Sequence, residues 1–157
     1  VYEAQKAMMQ RIWQTSERLT AVTDRLTEME DVTKKIEGQW REVEGKQADS
    51  LRKASKAMQD SIKTIREFIS GKRMEKQGYG NVYQVTVLSK LREPQQLIMG
   101  KRTLPGQQEE AAMKVAENMV QQAVDKANQL QNGAWKQYRQ LAEGTPIKLF
   151  SDLGELK

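Results

Sequence analysis

Seven residues near the start of the chain, Met8, Ile12, Thr15, Leu19, Val22, Leu26 and Met29, follow one another at steps of four and three. That rhythm places successive side chains on one side of an α-helix, whereas a half-buried strand would alternate at every second residue. Most positions between them hold Arg, Glu, Asp, Gln or Thr, as a face turned to water requires. After a three-residue step the stripe runs on through Val32, Ile36, Trp40 and Val43, which predicts a first helix over about residues 3–44. Gly38 within it costs about 1 kcal/mol relative to Ala, and Gly45 offers a stop. A helix this long cannot bury its stripe alone, so the rest of the chain must supply the facing surfaces.

A second stripe, Leu51, Ala54, Met58, Ile62, Ile65 and Ile69, predicts a helix over about 47–70, with Asp49 or Ser50 placed to cap it. Gly71 to Gly80 forms a loop rich in Lys, Arg and Gly. The following stretch is ambiguous: Val82, Tyr83, Val85, Thr86 and Val87 favour a strand, while Val85, Leu88, Leu91 and Arg92 fit helical spacing. A short helix over about 82–98, bent near Pro94, is preferred because a lone strand would have no pairing partner. Thr103, Pro105 and Gly106 form a turn into a third long helix over about 107–142. Its inward face carries Met113, Ala116, Val120, Ala123, Ala127, Leu130, Ala134, Tyr138 and Leu141. Gly144, Thr145 and Pro146 end it, and the tail 143–157, with Ile147, Leu149, Phe150, Leu153 and Leu156, is too apolar to float freely.

At about 1.5 Å per residue the first and third helices would reach about 60 and 54 Å, the second only about 36 Å. The short helix, about 25 Å long, would fill the missing part of the middle layer. The sequence thus predicts an all-α single domain over 1–157: an elongated antiparallel three-helix bundle, with the additional short helix stacked nearly end to end on the second. Aromatic residues make up only 6% of the chain, so such a core rests on Leu, Ile, Val, Met and Ala.

The chain has no Cys and no His. This removes thiol nucleophiles, thiolate or imidazole metal sites and the usual neutral-pH general base, so no catalytic, cofactor-binding or metal-binding residue is assigned. Carboxylate pairs such as Glu42 and Glu44, or Glu109 and Glu110, fall on exposed faces or at a helix start, where no cleft is expected to shift their titration. No apolar run approaches a membrane span, and no signal peptide opens the chain. Val1 in place of Met suggests a fragment or a processed product.

The net charge of +5 is concentrated in the middle, where residues 46–76 hold nine basic against four acidic side chains. That segment, with Tyr79 and Tyr83 available for stacking, could track phosphates, and nucleic-acid or anionic-surface binding is therefore the alternative function. The plainer reading is a solvated helix face with Lys stems lying over the core. Trp40 lies on the first stripe and reads as core. Trp13 and Trp135 each sit beside a stripe, and either pack beneath the loops and tail or contribute to a docking surface. The Met residues of the stripes read as core filler.

Gly80, Asn81, Val82 and Tyr83, leading to Ser89, Lys90 and Leu91, are similar to a loop and short apolar helix with an Asn-Lys-Leu element in one family. The turn at Pro105, the long third helix and the Val22 to Ile36 segment follow in the same order, so the match covers most of the chain. The chain resembles the C-terminal helical region of bacterial sortilin-like, BNR-repeat β-propeller proteins, which are often labelled glycosyl hydrolases. The resemblance implies a non-catalytic accessory bundle, in a secreted, periplasmic or cell-surface setting, with any glycosidase-like site outside this chain. Its partner would be a β-propeller domain of the parent chain or another protein. The expected interaction surface comprises Trp13, Trp135, Tyr79, Tyr83 and Phe150.

Overall fold

A computed structural model describes residues 2–72, 84–100, 103–145 and 155–156. These residues form five helices, α1 (Tyr2–Trp40), α2 (Lys46–Ser70), α3 (Val87–Ile98), α4 (Gln107–Asn132) and α5 (Ala134–Glu143), and no strand. The chain is all-α. Polar contacts fix the path. Gln5 donates to the Thr103 carbonyl, Arg11 to Glu110 and Glu117, Arg18 to Gln121 and Arg25 to Gln131, so α1 and α4 run parallel. Between them the chain descends: Gln59 bonds Glu37, and Arg66 bonds Thr27, placing α2 antiparallel to α1. Leu88 at the head of α3 lines a groove with Ile69 and Ser70 at the foot of α2 and with Leu19 and Thr20 of α1. The α3 helix then packs on both α1 and α4, an arrangement compatible with a middle layer made of two stacked helices.

Burial follows the first stripe closely. Met8, Ile12, Thr15, Leu19, Val22, Leu26 and Met29 are all buried, as are Leu51, Met58, Ile62, Ile65 and Ile69 of α2 and Met113, Ala116, Val120, Ala123, Ala127 and Leu130 of α4. Ala54 packs against this core while only partly buried.

Several expectations are corrected. Beyond Met29 the buried position is Thr33 and not Val32, which is 42% exposed. A four-residue step keeps the seam on the same flank, and the Thr33 hydroxyl is satisfied by donating to the Met29 carbonyl at 2.7 Å. The first helix ends at Trp40, four residues early, because Arg52 of α2 donates to the Trp40 and Val43 carbonyls at 2.6 and 2.7 Å and so takes over their hydrogen bonding. Val43 is consequently exposed. The second helix starts at Lys46 after Gly45, with no side-chain cap; Asp49 pairs instead with Arg52.

The short helix starts at Val87, with residues 84–86 non-helical, because Thr86 and Ser89 form a reciprocal cap: the Ser89 N–H reaches Thr86 Oγ1 at 3.0 Å and the Thr86 N–H reaches Ser89 Oγ at 2.9 Å. Val82 and Tyr83 lie outside the described residues. The third helix is broken at Gly133, which turns α5 relative to α4. Ala134 and Leu141, expected inside, are exposed as a result, while Tyr138 remains buried. Most of the tail, including Phe150, lies outside the described residues.

Candidate docking surface

The amphipathic rule leaves α1 one face for the core, and its outer face should be polar. It is not uniformly so. Tyr2, Met9 and Trp13 are 74%, 46% and 63% exposed. Steps of seven and four residues hold them within about 40° of one another around the helix. On the neighbouring α3, Leu88 marks the flank nearest α1, and Met99, eleven residues on, returns to that flank within about 20°. Met99 is 78% exposed and Leu104, in the following connection, 57%.

The register between these segments is set at two heights, Leu88 beside Thr20 and Thr103 beside Gln5. Met99 therefore stands level with Met9, and Leu104 near the level of Tyr2. Three large apolar side chains on one face of α1, with Met99 and Leu104 exposed at neighbouring heights, thus lie toward one end of the bundle, and such a gathering marks an interaction surface more often than isolated exposure does.

Of the expected interaction residues, Trp13 belongs to this patch. Trp135 does not: it is half-buried on α5, packed on the core, with its ring centroid 5.6 Å from that of Tyr138. Tyr79, Tyr83 and Phe150 lie outside the described residues. Tyr2, Met9, Met99 and Leu104 were missed in the sequence, although the heptad-like spacing of Tyr2, Met9 and Trp13 beside the main stripe was visible there.

The remaining polar features are structural in geometry. Glu109 is 1% exposed and accepts the Gly106 N–H at 2.8 Å, closing the start of α4 where Gly106 has no side chain to offer. Glu110 turns to Arg11, and that hydrogen bond holds its carboxyl below the ordinary value. Glu30 is lowered in the same way, first by Lys34 and then by Arg66. Arg66 Nε lies 3.3 Å from Glu30 Oε2 without the alignment of a hydrogen bond. Glu42 and Glu44 are exposed in the α1–α2 turn. Among the described residues no group of acidic side chains is placed to hold a metal ion.

On α2, Lys46, Lys53, Lys56 and Lys63 are exposed, but Asp49 and Asp60 share their face, and Arg52 and Arg66 turn toward α1. The positive side chains are therefore interleaved with negative ones. No described helix is long and apolar enough to cross a membrane.

No protein-family model, curated protein or solved structure matches the chain.

Proposed function

We propose that this chain is a non-catalytic accessory helical bundle that docks on another protein surface, in keeping with its resemblance to the helical region of sortilin-like β-propeller proteins. The observation that carries the reading is the exposure of Tyr2, Met9, Trp13, Met99 and Leu104 toward one end of the bundle. An aromatic anchor with an adaptable Met side chain one turn away suits protein contact, because the rigid ring offers large apolar area and the thioether adapts to the facing surface. The carboxylates support a scaffold role, since those with described partners bind Arg, Lys, Gln or backbone N–H groups of the same bundle.

The test uses Trp13 as its own reporter. Its emission should shift to shorter wavelength when the chain meets a partner at this patch, whether a separately produced β-propeller domain of a sortilin-like protein or the chain itself at high concentration. Trp13→Ser, with helicity unchanged by circular dichroism, should remove both the shift and the association. Association that survives this substitution, or glycoside hydrolysis by the chain alone that Glu109→Gln abolishes, would overturn the reading.

A further inference from the structure

We infer that the patch on α1 and α3 joins two copies of this chain in an antiparallel, two-fold pair. The inference rests on the reading of that patch as a docking surface and names its occupant.

A two-fold interface must be self-complementary, so each residue that meets a different one is met by it in return. The outer stripe of α1 has this property. With two α1 helices laid antiparallel so that Met9 of one faces Trp13 of the other, Trp13 of the first faces Met9 of the second, and sulfur meets an aromatic ring twice. Tyr2 falls opposite Thr20, whose position on the helix continues the same stripe.

The charges fit the same register. Lys6 and Glu17 both lie on the edge of the stripe away from α3, displaced by about 40° and 60° from its centre. Both are exposed, and neither side chain is engaged by another described residue. In the antiparallel pair this edge of one helix meets the same edge of the other. Lys6 then stands within one residue, about 1.5 Å of rise, of Glu17 on the second copy, and symmetry supplies the contact twice. A parallel two-fold pair would place this edge of the two copies on opposite sides of the seam, where Lys6 and Glu17 do not meet, so the charges favour the antiparallel orientation. Met99, level with Met9 on the flank next to α1, would lie on the α3 side of this interface.

Sedimentation equilibrium of the full chain over a wide concentration range tests this directly, with a monomer–dimer equilibrium expected. Lys6→Glu or Glu17→Lys alone should weaken the dimer about tenfold or more, and the two together should restore it. Trp13→Ser should leave a folded monomer. A dimer that tolerates Trp13→Ser, or one that the charge swap fails to rescue, overturns the proposed pair. A chain that stays monomeric while its Trp13 emission still responds to a β-propeller domain defeats the inference and leaves the docking reading intact. A monomer with no response to either defeats both.

Discussion

The hydroxyl of Tyr138 is carried into the core by a residue only 4% exposed, and it meets Ser55 Oγ at 2.7 Å in a site where Thr33 is also buried. Removing one partner leaves the other desolvated and unpaired, so Tyr138→Phe and Ser55→Ala should each cost about 1–2 kcal/mol. The double variant should cost clearly less than the sum, as measured by denaturant unfolding; additive losses would mean that the two hydroxyls do not act together. Burial raises the Tyr138 phenol above its ordinary 10.0, against the opposing hydrogen bonds from Ser55 and Thr33. The neutral form is thus favoured in the fold. Its contribution is complete below the unfolded-state value and is lost as pH rises through the folded one, so Tyr138→Phe should soften the alkaline limb of stability against pH. Leu19, 4% exposed in the helix seam, gives a harsher test. Leu19→Asp would bury an unpaired charge and should destabilise by about 3 kcal/mol or more, with an unchanged melting temperature counting against the core assignment.

At the scale of elements, the breaks between helices matter as much as the helices. Gly71 ends α2 at φ +92°, a conformation that side-chain-bearing residues rarely adopt. A Cβ there would also stand 2.5 Å from Gln84 Oε1, which accepts the Lys72 N–H at 2.8 Å and so ties the α2 exit to the approach to α3. Gly71→Ala should therefore destabilise by about 1–2 kcal/mol, read as a lower denaturation midpoint. Thr86→Ala removes one half of the cap on α3 and should cost about 1 kcal/mol, while Thr86→Ser should restore most of it. The break at Gly133 has a comparable role: a Cβ there would meet the Gln129 carbonyl at 3.0 Å, and the turn it permits places Tyr138 against α2.

For the whole molecule, ion pairs between helices report on pH. Arg11 bridges α1 to Glu110 and Glu117 of α4, and Glu30 joins α1 to Arg66 of α2. Glu110 and Glu30 both titrate below their ordinary 4.5, the first chiefly through Arg11 and the second chiefly through Lys34. A depressed carboxylate stabilises the fold above its unfolded-state value, and that contribution disappears as pH falls through the folded one. The melting temperature should accordingly hold near neutrality and decline below about pH 4.5, and Glu110→Gln should make that acid decline shallower. These pairs are partly exposed, so added salt should reduce the difference between variant and parent.

By itself the sequence determined the helical class, the buried face of α1 as far as Met29, and the buried faces of α2 and α4, because a repeat near 3.6 states which side of a helix must leave water. It also excluded chemistry that needs Cys or His. Thr33 replaced Val32 in the core, and Trp40 ended α1, through partners on other turns or helices that no local pattern reveals. Leu141 stayed in water because one glycine turned the last helix away from the line of α4. The apolar patch was half visible as the spacing of Tyr2, Met9 and Trp13. Only the tertiary structure brought Met99 level with Met9, since height along a neighbouring helix depends on how the chain returns and not on the order of its residues.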